Sequence, residues 1–120
     1  MMYEMAKSAG AGGGFVIVLI TCPQYAAQNV TSAILSKHLA ACVNSIPNVY
    51  STFWWKGKLT NDVESLLIVK TRKSMLKKLE AEVKKAHPYD VPEVLCIPIL
   101  WGSKGYLKWV ASETKGKRSR

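Results

Sequence analysis

Three features of this 120-residue sequence predict an α+β sandwich with βαββαβ connectivity. A continuous apolar run, Phe15-Val16-Ile17-Val18-Leu19-Ile20, follows a glycine cluster and reads as a strand covered on both faces or nearly so. From Cys42 to Arg72, two long strands meet at the tight turn Lys56-Gly57-Lys58. Farther on, Leu76, Leu79, Val83 and Ala86 recur at helical spacing, while Lys77, Lys78, Glu80, Glu82, Lys84 and Lys85 take the opposite face.

The elements follow in order. The first strand runs from Phe15 to Cys22, and Pro23 suits the first position of a helix, where its missing N–H costs nothing. Ala27, Val30, Ile34 and His38 line one side of that helix, which is expected to end near Leu39-Ala40-Ala41. The hairpin comes next. Its first arm carries Val49-Tyr50-Ser51-Thr52-Phe53-Trp54-Trp55, and Leu66-Leu67-Ile68-Val69-Lys70-Thr71 answers it after the turn. At ~3.3 Å per residue, an arm of about fifteen residues spans roughly 50 Å, against a usual strand of ~5–6 residues. Pro47 and Pro92 mark kinks or strand ends. The second helix has Ser74 or Thr71 as candidate caps, and His87-Pro88 stops it because a residue before proline avoids the α region. Val94 to Leu100 forms the last strand, with Pro98 implying an edge or a bulge, and a short helix with Tyr106, Leu107, Trp109 and Val110 closes the chain. Two split βαβ units in series make a ferredoxin-like fold: a four-stranded antiparallel sheet with two helices on one face. A hairpin that outgrows its sheet leaves backbone and aromatic surface uncovered, so self-association is expected.

The chain is long enough for one domain, expected over residues 15–112, between a disordered leader (1–14) and a basic tail (113–120). The net charge of +9 is partly local: Lys115, Lys117, Arg118 and Arg120 hold four charges, and removing them leaves +5. The three cysteines, Cys22, Cys42 and Cys96, form no Cys-x-x-Cys pair and suit no closed disulfide framework, which favours a reducing compartment. The longest apolar run is far short of the ~20 residues of a membrane span, and no charged segment leads into it as in a signal peptide. A cytoplasmic protein is expected, or an organellar one if the leader is the remnant of a targeting segment.

The candidate chemistry is sparse. Cys22 sits where the first strand becomes a helix, a position that favours a thiolate; a small residue filling a tight turn is the equal alternative. Cys42 and Cys96 read as structural cysteines. His87-Pro88-Tyr89-Asp90-Val91-Pro92-Glu93 is the densest polar cluster, and it reads either as part of a metal site or as a hydrogen-bonded turn. His38 reads as a partly buried packing residue. Lys70 is a candidate to pair with Glu64 or Glu93, or to hold an anion. An RNA-recognition domain shares the βαββαβ order, but the third strand, Val63 to Thr71, has no aromatic residue to stack on a base, so no nucleic-acid partner is expected. Neither a phosphate-cradling glycine loop nor a nucleophile elbow is present. No enzyme activity and no organic cofactor are expected.

Several stretches taken together resemble the CutA family of divalent-cation tolerance proteins. They are Leu39-Ala40-Ala41-Cys42-Val43-Asn44, Ile46-Pro47, Trp54-Trp55-Lys56-Gly57-Lys58, Lys70-Thr71-Arg72, His87-Pro88-Tyr89, Val91-Pro92-Glu93 and Tyr106-Leu107-x-Trp109. The resemblance implies a tight trimer built through the long strands, similar in architecture to PII signalling proteins, with a role in tolerance of copper and other divalent ions. Copper-binding bacterial members carry a cysteine late in the first strand and paired histidines before Pro-Tyr; here Ile20 and Ala86 stand at the matching places, so only His87 transfers directly. The expected metal donors are His87, Cys42, Cys22 and Glu93, and the expected cleft between subunits adds Lys70, Tyr89, Asp90 and Glu64. Tyr50, Phe53, Trp54, Trp55 and Trp109 are expected at the trimer contacts. Two alternatives stand beside this reading: a PII-like module whose ligand is an anion held by Lys70, and a trimeric scaffold without a small ligand.

Overall fold

The computed structural model describes residues 14–115; the expected leader and the end of the basic tail lie outside them. The strands are β1 (Phe15–Pro23), β2 (Cys42–Trp55), β3 (Lys58–Arg72) and β4 (Val94–Pro98). The helices are α1 (Ala27–Leu35), α2 (Leu76–Ala86) and α3 (Lys104–Glu113). All strand pairs are antiparallel and the sheet order is β2-β3-β1-β4, the arrangement that two split βαβ units produce.

Side-chain alternation along β1 divides the sheet into two unlike faces. Val16, Val18, Ile20 and Cys22 point toward α1 and α2, where they bury against Val30, Ile34, Leu79 and Val83, with Leu67 and Val69 beside them from β3. The intervening residues Ile17, Leu19 and Thr21 point the other way. On that second face α3 covers only one end, through a small cluster of Phe15, Leu107 and Val110. The rest is open: Ile46, Leu95 and Ile97 are 43%, 55% and 46% exposed, beside half-buried Leu66 and Ile68.

The hairpin is as long as expected, with arms of 14 and 15 residues against 9 for β1. Pro23 pairs with Glu64, and beyond that point the six pairs from Tyr50–Val63 to Trp55–Lys58 touch no third strand. This free ribbon reaches roughly 20 Å past the sheet at ~3.3 Å per residue. Its turn is two residues, Lys56 and Gly57, both at positive φ (51° and 77°), the handedness that matches strand twist. A bulge between Ile46 and Val49 gives β2 one extra residue there, at Pro47-Asn48, where proline can sit because it owes no ladder bond. Asn48, at φ 60°, donates its N–H to the Gln24 side-chain oxygen instead. After the bulge Tyr50 and Trp54 share a side with Val63 and Leu59, while Phe53 and Trp55 take the other. Tyr50 and Trp54 are 80% and 72% exposed.

Several local expectations need correction. Pro23 ends β1 and precedes a single 3-10 turn, so α1 starts only at Ala27. The helix closes with a Schellman motif: Leu39 N–H donates to Ile34 O at 3.1 Å and His38 N–H to Leu35 O at 3.0 Å, with His38 at φ 56°. His38 is therefore exposed rather than packed, and its Nδ1 lies 3.0 Å from the Glu113 carbonyl. Neither Thr71 nor Ser74 caps α2; Thr71 instead donates to Leu39 O at 2.7 Å. Cys96 is exposed because β4 is an edge strand, paired only with β1. At the C-terminus α3 runs to Glu113, and Thr114 just beyond it is fully buried.

Leu79 is fully buried between α2 and the sheet, so Leu79→Ala should cost about 2–5 kcal/mol of stability. The check is a urea titration, in which the midpoint should fall with the slope unchanged.

Candidate functional site

The polar residues singled out from the sequence fall into two groups at different levels of the sheet. The first gathers where β1 ends. Because Pro88 follows it, His87 leaves the helix in an extended conformation (φ −88°, ψ 136°), which carries its ring over the end of β1. There Nε2 meets the Thr21 carbonyl at 2.8 Å, and Nδ1 accepts the Tyr89 N–H at 3.1 Å. The network assigns the neutral imidazole with its proton on Nε2. The Tyr89 ring leans on the imidazole at 4.8 Å, and its hydroxyl donates to Glu64 Oε2 at 3.0 Å. Thr21 Oγ1 donates to Glu93 Oε1 at 3.3 Å. Glu64 is buried beside Pro23, and Cys22 is fully buried on the helical side of the same strand.

Burial, and then the Glu64 carboxylate that accepts its proton, hold the Tyr89 phenol well above its ordinary range. Burial and the negative Glu64 likewise push the Cys22 thiol up. The thiolate expected at Cys22 is therefore disfavoured: the following turn is a 3-10 turn whose dipole is short, and desolvation outweighs it.

The second group sits on the open face. Cys42 pairs directly with Lys70, whose Nζ donates to Asn44 Oδ1; Cys42 Sγ lies 3.9 Å from the same oxygen. Tyr106 is close enough to feel Cys42, although burial is the main cause of its raised phenol. Lys70 is level with Ile17, whereas Cys22 is level with Ser65. Five residues of strand separate these levels, roughly 17 Å. One subunit therefore unites Glu64, His87, Tyr89 and Glu93 near Cys22, and leaves Cys42 and Lys70 apart from them. Asp90 is exposed on the loop between α2 and β4.

These donors do not fit a resident metal within one subunit. Both His87 nitrogens are engaged, the Cys22 thiol is held protonated, and Glu64 and Glu93 accept hydrogen bonds from Tyr89 and Thr21. Among the described residues no three His, Cys, Asp or Glu side chains converge as a ligand set. Within one subunit the His87–Glu93 loop forms a hydrogen-bonded turn. Sequence reasoning missed Thr21 and Asn44, which orient His87 and Lys70; both lie in stretches already singled out, beside Cys22 and Cys42.

The raised Tyr89 phenol has a definite pH signature. The unfolded chain releases this proton near pH ~10, while the folded chain retains it, so Tyr89 contributes stability below that pH and loses it as pH rises further. Urea midpoints measured between pH ~8 and ~11 should decline, and Tyr89→Phe should flatten part of that decline. An unchanged slope in Tyr89→Phe would contradict the assignment.

Comparison with known proteins agrees with this architecture. The sequence profile of the CutA1 divalent ion tolerance protein family matches residues 16–113. Protein CutA 1, chloroplastic, of Oryza sativa subsp. japonica is 45% identical over 101 residues, covering 83% of this chain and 57% of that protein. The divalent-cation tolerance protein CutA of Thermus thermophilus is 41% identical over 99 residues, covering 82% of this chain and 96% of that protein. The crystal structure of CutA1 from Oryza sativa superposes with a TM-score of 0.83 at 43% identity, covering 86% of this chain and 95% of that one. The chain spans little more than half the length of the plant relatives, 57% for rice and 56% for Arabidopsis thaliana. Among the described residues no helix is long and apolar enough to cross a membrane. On sequence and fold together, the chain belongs to the CutA1 divalent ion tolerance protein family.

Proposed function

We propose that this protein acts as a homotrimer that takes up divalent cations, copper among them, in clefts between its subunits, and so serves tolerance of those ions. The observation that carries this reading is the unfinished sheet: one face open over Ile46, Leu95 and Ile97, and a ribbon of six pairs with no third strand. Apolar surface of this extent is the mark of a surface that associates. A second copy laid on it covers the open face and gives the aromatic ribbon, with Phe53, Trp54 and Trp55, something to pack against. Trp109, on the exposed side of α3 beside Tyr106, would join the same contacts.

Association also answers the problem of the divided donors. Cys42 and Lys70 lie on the open face, level with Ile17 and roughly 13 Å along the strand from Thr21, where His87 sits, so a cleft that uses both groups would draw on two subunits. His87 would ligate only by giving up Thr21 or Tyr89, which makes Cys42 and Glu93 the more accessible donors. The names of the relatives speak of tolerance rather than of catalysis. The reading carries no catalytic role, and we place the protein in the cytoplasm or, as in the chloroplastic relatives, in an organelle.

Light scattering on the full chain should return a mass of about 40 kDa, three times 13.3 kDa, at micromolar concentration. Ile97→Glu on the open face should lower that mass, and a monomer mass for the unaltered chain would refute the assembly. Calorimetry with copper should show saturable binding that weakens in Cys42→Ala and in His87→Ala. Unchanged copper affinity in both variants would favour the scaffold alternative, and heat from nucleotide alone would favour the anion alternative at Lys70.

A further inference from the structure

We propose that a groove between the end of β3 and α3, walled by Arg72, Lys108 and Lys115, binds a phosphate-type oxyanion, either a pyrophosphate or the phosphates of a small metabolite. It lies on neither of the polar groups described above. Arg72 supplies its fixed point. The guanidinium is half-buried and held from one side by Thr114: Nε donates to Thr114 Oγ1 at 2.9 Å and Nη2 to the Thr114 carbonyl at 2.8 Å. Thr114 is itself fully buried, and its hydroxyl donates to the Val110 carbonyl at 2.7 Å. Among the described residues the other guanidinium hydrogens make no hydrogen bond, and Arg72 lines the groove. A planar donor fork already immobilised loses little entropy on gripping an oxyanion.

The opposite wall comes from one face of the helix. Lys108, Ala111 and Ser112 lie on one face of α3 at spacings of three and four, and Lys115, two residues past the helix end at Glu113, lines the groove beside them, so small residues stand between two lysines. Ala111 and Ser112 leave the floor low, and the cavity measures about 480 Å³, enough for more than one phosphoryl group. The Ser112 hydroxyl is turned to the Trp109 carbonyl at 2.9 Å, so the cations rather than this hydroxyl carry the recognition. No acidic side chain lines the groove, and among the described residues none of the three cations pairs with a carboxylate. The helix C-terminus would ordinarily repel an anion, but here the Thr114 hydroxyl takes up the Val110 carbonyl, and the Arg72 guanidinium, bonded to the Thr114 carbonyl just past the helix end, sets a positive charge against that field.

The test is calorimetric titration of the full-length protein with inorganic pyrophosphate, at low and at physiological ionic strength, because exposed charges are screened by salt. Saturable binding is expected. The double variant Lys108→Glu with Lys115→Glu, which leaves the Arg72–Thr114 bonds intact, should weaken it by about tenfold or more. A control with the same change in net charge, Lys77→Glu with Lys78→Glu on the exposed face of α2, should bind nearly as well as the unaltered chain. Absence of saturable binding would overturn the proposal. So would equal losses in the two double variants, which would show a net-charge effect, or a loss only in Lys70→Ala, which would place the anion on the open face of the sheet. Copper titration of the same groove variant should be unaffected, so the two sites fail independently.

Discussion

A β-ribbon that runs past its own sheet has unsatisfied backbone edges and aromatic side chains with nothing to rest on. In this protein that constraint governs almost everything else. The ribbon extends six pairs beyond the last residue of β1, and the sheet it leaves is covered by helices on one face only. Evolution commonly shields an exposed edge with charge, a bulge or a covering element. Here the edge strand β2 carries one bulge and a proline, Lys56 and Lys58 sit at the tip, and α3 covers one end of the bare face. These devices blunt the surface without closing it, since Ile46, Leu95 and Ile97 stay open. That remaining open surface is the observation on which the proposed assembly rests.

The same constraint divides the polar chemistry. Helix α2 ends at a histidine followed by proline, and that stop directs His87 onto the Thr21 carbonyl. Once there, the ring becomes a strut: one nitrogen fixes β1, the other fixes the loop that carries Tyr89, and Tyr89 in turn meets the buried Glu64. A buried polar chain with every member satisfied stiffens its surroundings, and no buried side-chain nitrogen or oxygen among the described residues lacks a partner. Cys42 and Lys70 lie on the bare face, farther down the sheet. In the proposed assembly, a cleft between subunits would draw on both groups and so tie ligand chemistry to association.

The groove at α3 follows a different logic. It depends on Arg72 at the end of β3, which pins the buried Thr114 and so fixes where the helix stops. One of its cations, Lys115, belongs to the part of the chain whose sequence looks least structured. Charge that reads as a solvated tail is, at Lys115, one wall of a cavity facing an immobilised arginine.

Much of this was legible in the residues alone. Apolar alternation and helical spacing are local properties, so the element order, the overlong hairpin, an interruption at Pro47 and the stop at His87-Pro88 can all be read directly, while the structure makes that interruption a bulge. Side-chain partnership is not local. How His87 is held depends on Thr21, 66 residues away, and the Cys22 thiol is pushed up first by its burial under the helices and then by Glu64 across the strand pair. Pro98 left edge and bulge both open for the strand that carries Cys96, and only the sheet order decides for the edge; nor does the stripe through His38 reveal that a left-handed residue ends the helix and turns that ring outward. The sequence by itself determined the elements, their order and the surplus length of the ribbon, because those follow from periodicity and backbone preference. Only the tertiary structure decided which polar groups meet, because register between strands and the stacking of a loop on a strand end bring together residues that no spacing rule connects.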